Sequence, residues 1–355
     1  MSLFEHTAFD NHEKVLFATD PATGLKAILE VHSTARGPAV GGCRMWSYPS
    51  SAEAVTDVLR LSQGMSYKNI MADLPIGGGK SVIMKPEGDF DRQALFEAFG
   101  RALESLNGQY ISAEDVGVSP DDMVAARRTS RHVVGLPDGT GDPSPVTAKG
   151  VFMGIQAAAA RGLGSEDLKG VKIAVQGATG HVGAYLVRHL AEAGAELHLA
   201  DIREAELKAI AKETGAKVVE DPNAIYDVDA DIFTPCALGA IINPNTIDRL
   251  KVKVVAGAAN NQLETRDMGA ELVKRGILYA PDYVINAGGI INVMGEIDPR
   301  FDAKWVEGKL HTLKATLGEI MDTAARENRP SNIVADEIAR QRLADAAEQK
   351  ALAAE

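Results

Sequence analysis

Residues 171–201 read VKIAVQGATGHVGAYLVRHLAEAGAELHLAD. Val171–Gln176 is a short apolar run, Gly180–Ala193 has the apolar spacing of a helix, and Glu196–Asp201 is a second short apolar run. This order within about 30 residues is typical of a strand–helix–strand unit whose strands lie parallel. The segment therefore predicts a βαβ unit with a parallel sheet in this part of the chain.

The turn between the first strand and the helix is rich in glycine and comprises Gly177, Ala178, Thr179, Gly180, His181, Val182 and Gly183. Such a turn lets backbone N–H groups approach a pyrophosphate at a helix N-terminus. Asp201 ends the next strand, where a carboxylate accepts hydrogen bonds from ribose hydroxyls and repels a 2′-phosphate. The pattern predicts an NAD site with Asp201 and Ile202 at the ribose end. A glycine-rich turn without a nucleotide is the alternative, and Arg203 nearby weakens the preference for NAD.

Further elements are predicted on both sides of this unit. Before it, strands are expected at 15–19, 25–32, 39–40, 80–84 and 110–113, and helices at 51–65 and 92–106. The Pro- and Gly-rich stretch Gly135–Pro145 predicts a domain boundary. After it, we expect helices at 146–161, 301–326 and 333–353, and strands at 231–233, 252–256 and 277–279. The chain is thus expected to form two domains, with the βαβ unit in the second.

Composition excludes several classes of protein. The 355 residues are 45% apolar and 24% charged, which excludes disorder, collagen and disulfide scaffolds. A net charge of −12 opposes binding to nucleic acid or to an anionic membrane surface. The N-terminus lacks the pattern of a signal peptide, and no apolar run approaches a membrane span. We expect a cytoplasmic two-domain enzyme.

The cysteines and histidines give no metal site. Cys43 and Cys236 are the two cysteines of the sequence, and they form no CxxC pair. We expect both to be small buried thiols in a reducing compartment. The eight histidines include no HxxxH or HExxH pattern, so no metal is predicted.

Two lysines and a carboxylate in the first domain are candidates for binding an anion, polarising a reacting group and transferring protons. Lys68 and Lys80 stand in apolar, glycine-rich surroundings, and Gly77-Gly78-Gly79 directly precedes Lys80. We expect the glycines to let a substrate approach, and partial desolvation of an ammonium group favours its neutral form, which assists proton transfer. Asp115 follows a predicted strand end, a common place for a functional carboxylate. The alternative is that both lysines are surface charges and that Asp115 caps a helix.

Several blocks of sequence together resemble the glutamate/leucine/phenylalanine/valine family of amino-acid dehydrogenases, most closely its leucine-specific members and next its phenylalanine-specific members. They include Gly37–Trp46, Met65–Lys68, Gly77–Lys80, Ala113–Gly117, Asp142–Thr147, Pro235–Ala240, Ala259–Leu263 and Ala280–Asn292. They follow the family's order from about Leu16 to Ile297. The glycine turn departs from the family pattern, because G-x-x-G-x-x-G is one residue longer than G-x-G-x-x-G. It resembles the turn of atypical short-chain dehydrogenases, several of which prefer NADP.

The resemblance implies roles for matching residues. Lys68 would bind the substrate carboxylate, with help from Gly41 and Asn261, while Lys80 would polarise the carbonyl or orient water and Asp115 would act as general acid/base. Thr147 would contact the nicotinamide carboxamide, and Cys236, Ala237 and Asn286 would line the cofactor cleft. The side-chain pocket would be lined by Val40, Met65, Ala113, Ile290 and Val293, although apolar residues at these positions are also consistent with a plain core.

The reaction that the resemblance implies is reversible oxidative deamination of an apolar L-amino acid to a 2-oxo acid and ammonia with NAD. The apolar pocket residues favour leucine, isoleucine or valine over glutamate, and a phenylalanine-type enzyme is the alternative. A dinucleotide-binding regulatory protein without catalysis is an alternative of another class. The family's fold implies a catalytic and oligomerisation domain at 1–142, a Rossmann domain at 143–328 and a C-terminal helix at 329–355 that returns to the first domain. The resemblance also implies a homo-oligomer.

Overall fold

The computed structural model describes residues 3–137 and 139–354 and divides the chain into two compact units. Unit 1 runs to Gly141 and also includes Val293–Arg300 and the chain from Arg340 onward. Unit 2 comprises Asp142–Asn292 and Phe301–Ala339. The chain first passes between the units inside the loop that its Pro and Gly content singled out. Residues 293–300, which lie within the expected Rossmann domain of 143–328, group with unit 1 instead.

Within the described residues, unit 1 is built on a five-stranded mixed sheet. Its strands are β1 (Lys14–Asp20), β2 (Leu25–Ser33), β3 (Ala39–Trp46), β4 (Gly77–Met84) and β5 (Tyr110–Glu114). Their spatial order is β1-β2-β4-β3-β5, in which β2 is antiparallel to β1 and β4, and β3 is parallel to β4 and β5. The parallel half brings the C-terminal ends of β3, β4 and β5 to one edge.

Helices cover both faces of this sheet. On one face, α1 (Ser51–Met71) packs Ala54 and Val58 into a cluster with residues of β2 and β4. On the other face, α2 (Arg92–Glu104) packs Phe96 and Phe99 into a larger cluster. The alternation of β2 side chains explains this division, because successive residues of a strand point to opposite faces. The unit is completed by α3 (Pro120–Arg127) after β5.

Two elements of unit 1 extend by six residues beyond their predicted C-terminal ends. The sequence interpretation ends α1 at Met65, but the helix continues to Met71 and carries Lys68 in its last turns. It ends the third strand at Val40, but β3 continues to Trp46. Glycines at 41 and 42 do not end the strand, because both remain paired with β5. A Cβ on Gly41 would lie 1.9 Å from the Gly79 carbonyl oxygen. They allow neighbouring backbones to approach closely.

Unit 2 contains a six-stranded sheet in the described residues, and all its pairings are parallel. The strands are β6 (Lys172–Gln176), β7 (Glu196–Ala200), β8 (Lys217–Val218), β9 (Ile232–Pro235), β10 (Val254–Val255) and β11 (Leu278–Tyr279). The spatial order β11-β10-β9-β6-β7-β8 reverses direction between β6 and β9. This is the doubly wound Rossmann arrangement, which leaves a crevice at the C-terminal ends of β6 and β9. The predicted fold class is confirmed.

The helices of unit 2 surround the sheet and extend the chain back to unit 1. They are α4 (Ser144–Gly162), α5 (His181–Glu192), α6 (Glu204–Thr214), α7 (Met268–Lys274), α8 (Asp282–Ile285), α9 (Gly288–Ile297), α10 (Ala303–Glu327) and α11 (Ser331–Ala354). The second half of α9, from Val293 onward, and most of α11 belong to unit 1. There the Arg340 side chain donates a hydrogen bond to the Tyr67 hydroxyl at 2.8 Å, and Lys350 donates to the Thr34 carbonyl at 2.9 Å. Over residues 3–137 and 139–354, no helix has both the length and the apolar character of a membrane span.

Candidate active site

Lys80 and Asp115 form a close ion pair at the edge of the unit 1 sheet. Lys80 lies in β4, Asp115 directly follows β5, and the distance from Lys80 Nζ to Asp115 Oδ2 is 2.7 Å. Lys80 is only 5% exposed, so this ammonium group is not a surface charge. A buried donor next to a carboxylate is an arrangement that can move a proton. The structure therefore brings together the two residues for which acid/base roles are predicted.

Asp115 is held in its charged form by two cations. Burial opposes ionisation, but the charges of Lys80 and Arg44 outweigh that effect and lower the pKa of Asp115 below its usual value. Arg44 donates from Nε to Asp115 Oδ2 at 3.1 Å, so both cations bind the same oxygen. At neutral pH this group is therefore a negatively charged carboxylate.

Arg44 is itself fixed by a second carboxylate. Its NH1 atom donates to Asp57 Oδ2 at 3.1 Å, and the Tyr48 hydroxyl donates to the same oxygen at 2.6 Å. The sequence interpretation quoted Arg44 only as part of a motif and assigned it no role. Arg44 lies two positions after Gly42, so in a continuous strand both residues share one face. This signal was missed because the predicted β3 ends at Val40, before both residues.

The other predicted residues of unit 1 lie on neighbouring elements. Val40 and Gly41 are in β3, Ala113 is in β5 opposite Gly42, and Met65 Cγ lies 3.1 Å from the position of a Cβ on Gly41. Lys68 is on the same face of α1 as Met65, because the two are three residues apart. Val40 is fully buried, whereas Met65, Ala113 and Val293 are partly exposed.

The three glycines before Lys80 have a different purpose from the one expected. They lie inside β4, and a Cβ on Gly78 would lie 2.0 Å from the Ser66 backbone nitrogen of α1. A Cβ on Gly79 would lie 2.7 Å from the Glu30 carbonyl oxygen. The prediction that they open a path for substrate is wrong at Gly78 and Gly79, because helix and strand backbones occupy that space.

A second buried carboxyl, Glu30, lies directly across the β2–β4 pairing from Lys80. Burial raises the pKa of Glu30 to about 8, and a 2.9 Å hydrogen bond from the Ser62 hydroxyl partly offsets this effect. His12 Nε2 lies 3.5 Å from Glu30 Oε1, and burial lowers the pKa of His12 to about 4. Both shifts favour the uncharged forms, so at neutral pH this contact joins a neutral carboxyl group and a neutral imidazole. The sequence interpretation assigned neither residue a role.

In unit 2, the glycine turn follows β6 and leads into α5, as predicted. Gly177 has a φ of +76°, and a Cβ there would lie 2.8 Å from Ala237 Cβ. A Cβ on Gly183 would lie 2.1 Å from the Gly177 carbonyl oxygen. Gly180 is the N-cap of α5 and has no side chain to cap the helix, so the N-terminal N–H groups face the crevice end of the sheet. This is a suitable cradle for an anionic pyrophosphate.

Asp201 is tied to the glycine turn. Its Oδ2 accepts a hydrogen bond from the Thr179 backbone N–H at 3.0 Å, and its Oδ1 accepts one from the Arg203 backbone N–H at 3.1 Å. Burial opposes ionisation of Asp201, but these N–H groups and the Arg203 charge outweigh it and lower its pKa. The carboxylate therefore stays charged beside the crevice, and each oxygen retains capacity to accept a further hydrogen bond.

Three other predicted residues of unit 2 lie directly after β9 and near the start of α4. The Cys236 N–H donates to the Gln176 carbonyl at 2.8 Å, which places Cys236 and Ala237 beside the end of β6. Thr147 in α4 packs closely against the start of α9, since a Cβ on Gly288 would lie 2.7 Å from Thr147 Cα. Burial raises the pKa of the Cys43 and Cys236 thiols to about 12, which disfavours the reactive thiolate. Cys43 is buried as expected, whereas Cys236 is partly exposed.

Asn286 supports the assignment of a nucleotide cleft. Its Nδ2 donates to Asn260 Oδ1 at 2.6 Å and to the Ala258 carbonyl at 3.1 Å. Among the described residues its buried Oδ1 atom has no hydrogen-bond partner. A buried amide oxygen without a partner is costly unless a ligand supplies a donor. The residues present therefore fit a bound dinucleotide.

Asn261 and Ile290 belong to unit 2, while Lys68 belongs to unit 1. Asn261 is exposed with a φ of +51°, and Ile290 is partly exposed in α9. Their predicted contacts with a substrate held by Lys68 stay predictions.

Two models of protein families match this chain. The family model described as the Glu/Leu/Phe/Val dehydrogenase dimerisation domain matches residues 12–132. The model described as Glutamate/Leucine/Phenylalanine/Valine dehydrogenase matches residues 196–351. The two matches cover parts of both units.

Individual relatives are similar over almost the whole chain. Leucine dehydrogenase from Geobacillus stearothermophilus is 46% identical over 97% of this chain and 94% of its own length. Phenylalanine dehydrogenase from Bacillus thermotolerans is 48% identical over 83% of this chain and 78% of its own. The crystal structure of L-tryptophan dehydrogenase from Nostoc punctiforme superposes with a TM-score of 0.86 at 41% identity, covering 95% of this chain and 97% of that one.

Proposed function

Because this chain belongs to the glutamate/leucine/phenylalanine/valine family of amino-acid dehydrogenases, we propose that it catalyses the reversible, NAD-dependent oxidative deamination of apolar L-amino acids, with leucine as a main substrate. The observation that carries the proposal is the buried pair of Lys80 and Asp115 at 2.7 Å in a chain 46% identical to a leucine dehydrogenase.

The chain's own residues suit the acid/base part of this reaction. We assign the substrate carboxylate to the Lys68 ammonium group, supported by the backbone of Gly41 and by Asn261. Lys80 Nζ orients a water molecule toward the substrate imine carbon, and Asp115 accepts the proton that this water releases as the C–O bond forms. Asp115 then gives this proton to the nitrogen of the carbinolamine. It takes up the hydroxyl proton as the C=O bond forms and the C–N bond breaks, so that ammonia and the 2-oxo acid are released. The lowered pKa of Asp115 keeps this group deprotonated, so its oxygens are free of a proton when water attacks.

The nucleotide site supports a nicotinamide cofactor, which supplies the hydride acceptor when bound. We assign the pyrophosphate to the turn from Gly177 to Gly183 and the adenosine ribose to Asp201 and Ile202. Thr147, Cys236, Ala237 and Asn286 line the nicotinamide end. Asp201 favours NAD, since its negative charge repels a 2′-phosphate. The exposed Arg203, whose Nε is 3.6 Å from Asp201 Oδ1, is the feature that favours NADP.

The preference for an aliphatic substrate rests on the residues assigned to the side-chain pocket. Met65, Ala113, Ile290 and Val293 are apolar and partly exposed, and Val40 is buried behind this layer. None of these residues carries a charge to bind a second substrate carboxylate, which disfavours glutamate. One methylene group in such a pocket changes binding by only about 1–3 kcal/mol, so isoleucine and valine are expected to react as well. Phenylalanine is the second candidate, because a phenylalanine dehydrogenase is 48% identical over 83% of the chain.

A panel assay tests the proposal. We would follow the ultraviolet absorbance of NADH or NADPH with L-leucine, L-isoleucine, L-valine, L-phenylalanine, L-tryptophan and L-glutamate at alkaline pH. Turnover of the aliphatic amino acids with NAD is the expected result. Faster turnover of phenylalanine or tryptophan would contradict the assigned pocket, and faster turnover with NADP would contradict the role of Asp201. Binding of NADH without any turnover would favour the non-catalytic regulatory protein.

We also propose that the chain acts as a homo-oligomer in the cytoplasm. Support for assembly comes from the match of residues 12–132 to a domain described as a dimerisation domain. The cytoplasmic location rests on cysteine usage and stays a prediction.

A further inference from the structure

Arg44 and its partners form a chain of polar contacts that ends on Asp115. Tyr48 donates to Asp57 at 2.6 Å, Arg44 donates to Asp57 at 3.1 Å, and Arg44 donates to Asp115 at 3.1 Å. The three carboxyl and guanidinium groups are each about three-quarters withdrawn from solvent, with exposed side-chain fractions of 23% for Arg44, 29% for Asp57 and 25% for Asp115. Charge-assisted contacts of this kind are stronger than those on an open surface.

The geometry of the guanidinium group explains why an arginine stands here. Its planar group presents separate donors on Nε and NH1, so that one side chain can join two carboxylates in a fixed relation. Asp57 lies in the second turn of α1 and Asp115 directly follows β5, so Arg44 in β3 links three separate elements. Tyr48 completes the arrangement, because burial and the Asp57 charge raise the pKa of its hydroxyl and keep it a donor.

The orientation of Asp115 depends on this link. Lys80 and Arg44 both bind Oδ2, while the Val116 backbone N–H is a further hydrogen-bond partner of this carboxylate. Two cations on one oxygen fix the plane of the carboxylate more closely than Lys80 alone, because a lysine ammonium group on a flexible stem sets no preferred plane. A displacement of about 1 Å at such a group is enough to reduce a reaction rate severely.

We propose that Arg44 is a positioning residue of the reaction, that it acts through Asp115 by holding this carboxylate in orientation and in negative charge, and that Asp57 and Tyr48 position Arg44. The proposal deepens the proposed function and rests on it for its kinetic readout. Arg44 contacts neither substrate nor cofactor in this assignment, so its effect is on turnover and not on substrate affinity.

A double-mutant cycle tests the proposal. Arg44→Gln is expected to lower kcat about 10- to 100-fold with little change in KM for leucine. Asp115→Asn is expected to lower kcat by more, and the double variant is expected to be no slower than Asp115→Asn alone, because Arg44 acts only through the carboxylate. Arg44→Lys keeps the charge but not the two separate donors, so we expect partial recovery. The control is Arg101→Gln, which removes an exposed pair with Asp20 in the same unit and is expected to leave kcat unchanged.

Two results would overturn the proposal. One is an unchanged kcat in Arg44→Gln, and the other is a double variant in which the two losses multiply, since that pattern is expected of a general structural defect. If Arg44→Gln fails to fold, Asp57→Asn serves instead, because it keeps Arg44 and releases it from α1. Asp57→Asn alone is then expected to lower kcat by a smaller factor than Arg44→Gln. Added to Asp115→Asn, it is expected to cause no further loss.

A second readout does not need turnover and separates failure of this proposal from failure of the proposed function. The full-length protein is labelled with carboxyl-¹³C aspartate, and the Asp115 signal is identified by its loss in Asp115→Asn. In Arg44→Gln this signal is expected to titrate about one pH unit higher than in the unmodified protein, because one of two neighbouring cations is gone. An unchanged titration would overturn the proposal even in a protein that fails to oxidise leucine.

Discussion

Asp115 is a residue whose chemistry depends on its immediate neighbours. Burial by itself would favour the protonated acid, yet Lys80 and Arg44 keep the pKa below the usual value. Lys80 in turn is almost fully buried and lies on the same carboxylate oxygen as Arg44. A charged pair of this kind is costly to break, because removal of one partner leaves the other charge buried and unpaired. Substitutions at Lys80 and Asp115 therefore affect both stability and rate.

Substitution of the acid/base residues is expected to reduce turnover, not binding. Lys80→Ala and Asp115→Asn should each lower kcat for leucine by about 10²–10⁴-fold, the range that a positioned proton-transfer group contributes. Lys68→Ala should mainly raise KM, because it removes a charge that binds the substrate carboxylate in both the ground state and the transition state. Initial rates over a range of leucine concentrations separate the two effects.

Circular dichroism of each variant provides the control for folding. A Lys80→Ala protein that is folded and fully active would contradict the assigned mechanism, and so would a Lys68→Ala protein with an unchanged KM.

At the scale of elements, α1 and β4 approach each other unusually closely. The space above Gly78 is filled by the Ser66 backbone, and Asn69 donates a hydrogen bond to the Gly77 carbonyl at 2.7 Å. This contact sets the position of the α1 face that carries Met65 and Lys68 relative to Lys80. The three glycines therefore allow α1 to pack closely against β4 in unit 1.

Two glycine substitutions with opposite expected effects on the free energy of unfolding test this interpretation. Gly78→Ala should lower the free energy of unfolding by at least about 2 kcal/mol, because its Cβ would overlap a helix backbone that cannot move alone. Gly64→Ala, in the same helix α1, should raise it by about 0.5–1 kcal/mol, since no described atom lies within 4 Å of the new Cβ. Urea unfolding at one pH measures both. Similar effects of the two substitutions would contradict the packing role of Gly78.

Strand β2 carries a buried acid that makes stability depend on pH. The pKa of Glu30 is about 8 in the folded protein and close to 4.5 in an unfolded chain. Between these values the unfolded chain releases a proton that the folded protein keeps, so the free energy of unfolding falls as pH rises. The contribution is complete below pH 4.5 and is lost as pH rises through 8.

Glu30→Gln is expected to remove this dependence, because the amide mimics the neutral acid and does not titrate. The slope that is lost corresponds to one proton, or about 1.4 kcal/mol per pH unit at most. Thermal or urea unfolding from pH 5 to pH 8 measures it. The matched control is Glu206→Gln at an exposed position of α6, which should keep the slope of the unmodified protein. Equal slopes for Glu30→Gln and the unmodified protein would contradict the assignment.

Across the whole chain, the proposed function assigns catalysis to unit 1 and cofactor binding to unit 2. The acid/base pair lies in unit 1 and the glycine turn lies in unit 2. Unit 1 also exposes large apolar side chains, with Phe17 57% and Trp46 54% exposed. Together with the match of residues 12–132 to a dimerisation domain, these side chains suggest that unit 1 makes the contacts between subunits.

Light scattering is expected to give a mass that is a multiple of the 37.6 kDa chain. Trp46→Glu should shift this mass downward, because a buried charge in an interface is costly. Tyr185→Glu places the same charge at an exposed aromatic residue of unit 2 and should leave the mass unchanged. A single-chain mass for the unmodified protein at micromolar concentration would contradict the expected assembly.

The parts of the site that could be predicted are those that depend on local pattern. The turn from Gly177 to Gly183 lies between strand and helix as expected, because period and glycine spacing report directly on a strand–helix connection. Lys80 and Asp115 were identified from the resemblance and their motifs, and their pairing needed the fold. Arg44, Asp57 and Glu30 were missed, because nothing in local spacing indicates which charged residues become neighbours across strands.

The two-domain α/β class and the βαβ unit from Val171 to Asp201 follow from the order and periodicity of residues along the chain. The dehydrogenase family follows from the order of its motifs. Only the tertiary structure decided that the glycines at 77–79 are filled by α1 and neighbouring strands, and that Arg44 shares an oxygen of Asp115 with Lys80. The difference lies in how far apart along the chain the interacting residues are. Turn formation and helical spacing act over a few residues, whereas burial, close packing and charge pairing depend on which distant residues the fold brings within a few ångströms.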